Sequence, residues 1–207
     1  MAAQESESYQ PTAAEVAQSL SKPPKKFGTE VPTNAREQIG ERLFNFAVTH
    51  IPSHFVRQTW LRFFGAKIGT GTSIMMGTRV HGLQQINIGN NCSIGSRCLL
   101  DARGDLNIDD DVVIASDVQL ISGQHVVDSD DFGRYHSPIN IGHHAWIASR
   151  AMVVVGVDIG YGAVVGAASL VRDDVEPMQI VAGVPAKPRG VRKSTLDYHP
   201  TFRPLLY

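Results

Sequence analysis

The apolar positions of this chain recur every six residues. From Ile141 the sequence divides into IGHHAW, IASRAM, VVVGVD, IGYGAV, VGAASL and VRDDVE, with Ile141, Ile147, Val153, Ile159, Val165 and Val171 in first place. Ala145, Ala151, Val157, Ala163, Ser169 and Val175 take the fifth place. A period of six fits neither the 3.6 of an amphipathic helix nor a strict alternation, and the glycines and β-branched residues speak against helix. A hexapeptide period is a signature of parallel β-helices, so the expected fold class is all-β, a parallel β-helix of hexapeptide repeats. Each hexad is one short strand and a corner, three hexads make a triangular coil, and stacked coils bury the first-place aliphatics in a continuous core. A β-sandwich with accidental spacing is the competing reading, and repeats that stay in phase disfavour it.

The same pattern starts at IGTGTS, IMMGTR and VHGLQQ, led by Ile68, Ile74 and Val80. It continues through Ile88, Ile94 and Leu100, then Ile108, Ile114 and Leu120. The step from Ile68 to Ile88 and on to Ile108 is 20 residues, so two extra residues bulge at one corner, in QQIN and GDLN. After Leu120 the phase breaks and ISGQHVVDSDDFGRYHSP intervenes before INIG restores it, which predicts an extruded loop over 122–138. An insertion in a repeat marks a face used for something other than stacking.

Outside the repeat, residues 1–34 are polar and proline-bearing and read as a flexible or partner-draped arm. Residues 35–66 carry two helical segments. In the first, capped by Asn34, Ile39, Leu43, Phe44 and Ala47 share a face; the second gathers Phe55, Val56, Trp60, Leu61 and Phe64 among basic residues. These predict a cap on the open end of the β-helix over 67–176, with contact to a membrane surface through 53–67 as a lesser alternative. Residues 177–207 form a C-terminal extension, whose Tyr198, Phe202, Leu205, Leu206 and Tyr207 are able to fold back on the prism at no place that the sequence fixes.

The net charge of -1 argues against nucleic acid as a partner. No apolar run is long enough to span a bilayer, and the N-terminus lacks the basic start and apolar heart of a signal peptide, so a cytoplasmic protein is expected. Cys92 and Cys98 both fall in fifth places, which predicts buried thiols not bonded to each other.

The run IASDVQLISGQHVVD, a polar loop, SPINIGHHAWIASRAMVVVGVDIGYGAVVGAASLVRDDVEP and AGVPAKP resembles the hexapeptide-repeat acyltransferases of the maltose and galactoside O-acetyltransferase group. Within that group it is most similar to the colanic acid and exopolysaccharide acetyltransferase branch. The resemblance covers about Gly65 to Arg192 and implies a left-handed β-helix, a homotrimer with active sites between subunits, acetyl-CoA as co-substrate, no metal, and a small carbohydrate acceptor. It assigns the general base to His125 in SGQHVVD, with His136 as the alternative. The neutral imidazole would take the proton of an acceptor hydroxyl as its oxygen attacks the thioester carbonyl, then protonate the departing thiolate. Nucleophilic catalysis by cysteine is disfavoured, since both thiols are expected to be buried away from the loop.

Coenzyme A needs a groove for its pantetheine arm and cations for its phosphates. Ala148, Ser149, Gly166 and Ala167 stand where the group lines that groove, Trp146 sits at the group's VWIG-like position, and Arg172, Lys187 and Arg189 match its basic exit. The same small residues are equally what tight corners require. For the acceptor, Asp117 and Asp128 flank His125, Asp101 lies one coil below, and His136 is near. The chain departs from the maltose and galactoside enzymes in carrying Arg97 and Asp101 where they have an asparagine-bearing segment, and in its N-terminal arm.

A γ-carbonic-anhydrase-type zinc site needs an H-x4-H spacing, whereas His136 and His143 are seven apart. A non-catalytic hexapeptide scaffold and N-acylation of an amino sugar remain as alternatives to O-acylation.

Overall fold

A computed structural model describes residues 34–128, 130–200 and 202. The arm reading for 1–33, and the tail reading at Leu205, Leu206 and Tyr207, lie outside the described residues.

The hexads fold as expected into a three-faced prism of parallel strands. The first face stacks Lys67–Ile68, Ile86–Ile88, Leu106–Ile108, Ile139–Ile141 and Asp158–Ile159. The second stacks Ser73–Ile74, Ser93–Ile94, Val113–Ile114, Trp146–Ile147, Val164–Val165 and Gln179–Ala182, and the third Arg79–His81, Leu99–Asp101, Gln119–Ile121, Met152–Val153 and Leu170–Val171. Register follows the first-place residues: Ile68 lies against Ile88, Ile88 against Ile108, and Ile108 against Ile141. Ile74, Val80, Ile94, Leu100, Ile147, Val153 and Val165 are fully buried in one core, and Cys92 and Cys98 join it as free thiols. Burial pushes both thiols up to about 11.

The corners turn on a left-handed residue in the fourth place of the hexad. Asn91, Arg97, Asp111, Asp117, His144, Arg150 and Ala168 all have positive φ there, and Gly156 and Gly162 occupy the same place elsewhere. Asn, Asp and Gly accept that conformation readily, while a residue such as Arg150 or Ala168 costs about 1–2 kcal/mol. In the first three coils the corner from third to first face is different, before Gly156 restores the regular turn there. It holds a short 3-10 turn over Leu83–Gln85, a turn at Ala102–Asp105, and then the insertion.

The prism continues past residue 176. Gln179–Ala182 adds a rung to the second face, and Lys187–Val191 closes that face as an antiparallel strand.

Two helices close the other end, α1 (Ala35–Phe46, capped by Asn34) and α2 (His54–Phe63, capped by Ser53). An open β-helix end presents a triangle of unpaired backbone groups, and the cap satisfies them with side chains. Arg62 donates to the carbonyls of Ile68 and Gly69 on the first face. On the second, fully buried Arg57 donates to Ile74 at 2.8 and 3.1 Å and to Ile51, while Gln58 donates to Thr72. On the third, Thr49 donates to Thr78, and Asn45 both accepts from and donates to Val80.

The expected apolar face of α1 is only partly the buried one. Glu37, Gly40 and Phe44 point inward, whereas Ile39 and Leu43 are exposed. Gly40 decides this, because the Phe64 ring lies where its Cβ would be and Trp60 donates to its carbonyl at 3.0 Å. Phe55 and Phe63 of α2 are exposed too, and no described helix is long and apolar enough to cross a membrane.

Candidate active site

The insertion is a β-hairpin at the third-to-first corner. Gly123–His125 pairs antiparallel with Arg134–His136, matching Gly123 to His136 and His125 to Arg134. Tyr135 and His136 are buried, while His125 is exposed. The His136 ring packs over Gly123, where a Cβ would lie 2.7 Å from its Cδ2, so this strand needs glycine at its foot. Nδ1 of His136 is buried without a hydrogen-bond partner among the described residues.

The His125 ring is oriented from within the hairpin. Its Nδ1 lies 2.8 Å from the Phe132 carbonyl, and the ring stacks on Phe132 with centroids 4.3 Å apart and planes 10° apart. A carbonyl only accepts, so Nδ1 carries the hydrogen and Nε2 keeps its lone pair in the neutral ring. That tautomer is the one a general base needs.

Below the hairpin the same corner gathers charge that the sequence did not bring together. Buried Asp101 takes two hydrogen bonds from the Arg103 guanidinium, each 2.8 Å, which raise the arginine's affinity for its proton. His81 lies one rung under Asp101, with its Nδ1 2.9 Å from Oε1 of Glu41 on α1. Burial alone would raise the Glu41 carboxyl, but hydrogen bonds from His81 and the Gly82 N–H outweigh it and hold it below the usual range. Arg103, His81 and Glu41 were not singled out from the sequence. Glu41 meets His81 across 40 residues through the cap, which no local spacing signals.

The other expected site residues fall elsewhere. Asp117 sits in the fourth place at the second-to-third corner, where it accepts from Nε and Nη2 of Arg97, each at 2.8 Å, and does not orient His125. Arg97 occupies the equivalent place one coil below, 20 residues earlier, and holds the Asp117 carboxyl below its usual range. Asp128 is exposed in the turn at the hairpin tip. Ala148, Ser149, Gly166 and Ala167 line the second-to-third corner, and Trp146 projects from the adjoining second face, half exposed. A Cβ on Gly166 would meet that of Ala182 at 2.8 Å, so packing of the next rung already requires this glycine. Arg172 and Lys187 converge on the exposed Asp173 at 4.0 and 3.8 Å, and Arg189 is exposed on the closing strand. Within one chain, His125 and the small-residue groove therefore stand on different corners of the prism. No cluster of His, Cys, Asp and Glu suited to a metal ion occurs among the described residues.

These features define a class. The prism is the left-handed parallel β-helix of hexapeptide-repeat acetyltransferases, matching one such protein from Vibrio cholerae with a TM-score of 0.71 at 23% identity, over 82% of this chain and 97% of that one. A galactoside acetyltransferase solved in complex with coenzyme A matches with a TM-score of 0.53 at 26% identity, over 75% of this chain and 78% of that one. In sequence, 47 residues are 60% identical to the chloramphenicol acetyltransferase of Klebsiella aerogenes, 23% of this chain and 22% of that protein. The chain thus aligns with about a fifth to a quarter of the length of the curated relatives it matches. No family model matches. The resemblance to hexapeptide-repeat acetyltransferases is upheld in sequence and in fold, while the matches do not single out the colanic acid branch.

Proposed function

We propose that this protein is an acyl-CoA-dependent O-acyltransferase, with acetyl-CoA the reference donor, acting on a hydroxyl of a sugar or polysaccharide precursor. The observation that carries the reading is the His125 ring, exposed on an extruded hairpin with its Nδ1 hydrogen committed to the Phe132 carbonyl and its Nε2 free. Nε2 takes the acceptor's hydroxyl proton while that oxygen bonds to the thioester carbonyl carbon. The carbon–sulfur bond then breaks, and the imidazolium returns the proton to the CoA thiolate. Asp128, exposed on the hairpin, is open to acceptor hydroxyls, while Asp101 and His136 lie buried at its foot and Asp117 has a partner elsewhere. Trp146, Ala148, Ser149, Gly166 and Ala167 bind the pantetheine arm, and Arg172, Lys187 and Arg189 meet the phosphates. Relatives named for chloramphenicol and galactoside acetylation support hydroxyl acceptors, and a neighbour bound to coenzyme A supports the donor.

The active form is a homotrimer. The third face lies between the hairpin corner and the small-residue corner, and its outward positions include the half-buried aliphatics Leu99, Met152 and Leu170. The first face instead presents a hydrogen-bonded polar ladder of Asn87, Asn107, Asn140 and Asp158. Packing three copies through their third faces places His125 of one beside the groove of the next, which a single chain does not achieve.

The test is thiol release from acetyl-CoA by wild type and His125→Ala over a panel of mono- and disaccharides, with an amino sugar included. Acceptor-dependent release that falls about 10²- to 10⁴-fold in the variant supports the reading. Undiminished release in the variant removes the base from His125, and release only with the amino sugar turns the reaction into N-acylation.

A further inference from the structure

A cavity of about 660 Å³ lies on the second face, beside its corner with the third. Ser149, Ala115, Val113 and Met75 line it, together with Pro200 and Phe202 of the C-terminal tail. The tail reaches this place because it is tied to the opposite corner. Arg192 donates to the carbonyls of His144 and Gly162, His144 Nε2 meets the Tyr198 carbonyl at 2.9 Å, and His199 Nδ1 lies 2.8 Å from buried Asp111. From there the chain crosses the second face, and Phe202 reaches the rungs that carry Val113 and Met75.

The height of the cavity along the prism is what matters. The second face stacks its rungs from Ser73 through Ser93, Val113, Trp146 and Val164 to Gln179, and the closing strand with Lys187 and Arg189 lies beyond the last. A donor whose phosphates rest at that end runs its pantetheine arm down past Gly166, Ala167, Ala148 and Ser149. On the acyltransferase reading its thioester belongs near the rung of Val113, since that is the coil from which the hairpin of His125 departs. The cavity does not stop there. It continues two rungs further, to Met75, a distance on the order of 10 Å. An acetyl group leaves that space unfilled; Ser93, Ser116 and Ser149 also line it, but its walls are chiefly apolar, and Met75, Val113, Ala115 and Phe202 offer contact to hydrocarbon.

We infer that this cavity receives the acyl chain of the donor, and that the physiological donor carries an aliphatic acyl group longer than acetyl. The inference rests on the acyltransferase reading above and deepens it by naming the donor class. The C-terminal tail is then part of the donor site, with Phe202 as one wall.

Calorimetric titration of the full chain with CoA and its acetyl, butyryl and hexanoyl thioesters tests this without knowledge of the acceptor. Each added methylene buried in the cavity tightens Kd by about fourfold. In Val113→Phe, which fills the cavity from the prism side, the gain vanishes and the thioesters bind within about twofold of one another. Phe202→Ala, a change on the exposed tail that leaves the prism core untouched, reduces the gain per methylene. Constants that are flat or weaken with chain length in the wild type overturn the inference while leaving acetyl transfer standing. Failure of CoA itself to bind removes the acyltransferase reading and the inference together.

Discussion

The two corners of the third face behave in opposite ways. At the second-to-third corner every coil turns in the same manner, with a left-handed fourth residue at Gly77, Arg97, Asp117, Arg150 or Ala168. Its polar groups satisfy one another up the stack, as Ser96 does with Ser116 and Arg97 with Asp117. At the third-to-first corner the period fails in successive coils, by a 3-10 turn, by the Ala102–Asp105 turn and by the hairpin. There the chain accumulates Glu41, His81, Asp101, Arg103, His125 and His136. A strict repeat can build only repeated surfaces, so chemistry collects where the repeat is interrupted, and the regular corner is left as a smooth groove.

The comparison breaks most sharply at His125. His125→Ala lowers kcat/KM by about 10²- to 10⁴-fold, and because the ring is exposed the melting temperature stays within a few degrees of wild type. The converse holds at a regular coil. Ile147→Ala, in a fully buried first place, lowers unfolding free energy by about 2–5 kcal/mol in urea titrations.

The regular corners also carry an alkaline signature. The folded-state pKa of Cys92 and of Cys98 is raised from 9.0 to about 11, so their protonated thiols favour the fold fully below pH 9, and this contribution is lost as pH rises towards 11. For each thiol the loss reaches about 2–3 kcal/mol, and Cys92→Ala flattens the decline of stability between pH 9 and 11. The smallest effect is expected beneath the hairpin. Arg103→Gln leaves buried Asp101 without its guanidinium partner and raises KM for the acceptor about tenfold, with a smaller change in kcat.

The prism was legible because its core obeys one rule: an aliphatic residue every six positions. Its corner conformation was not, since the left-handed fourth place holds Arg97, His144, Arg150 and Ala168 as well as Gly and Asn, and no residue type marks it. The start of α1 was legible from Asn34, whereas its buried face was set by the Phe64 ring pressing on Gly40, a contact made across the cap. At the site, the insertion and His125 stood out from the broken period and the resemblance. The expectation that Asp117 attends His125 ignored its place in the hexad, which aligns it with Arg97 one coil below. The Glu41–His81 contact and the tail's anchorage at Asp111 join residues 40 and 88 positions apart, beyond any pattern that a local reading samples.

The central claim is that one subunit supplies the base and its neighbour the donor groove. Co-expression of two variants tests it most directly, His125→Ala lacking the base and Ser149→Trp blocking the groove. Each alone is inactive, and every mixed trimer regains roughly one active cleft in three, about a quarter of all clefts at equal expression, namely those combining an intact hairpin with an intact neighbouring groove. Mixed trimers as inactive as either parent would place the base and the donor on the same chain and contradict the account.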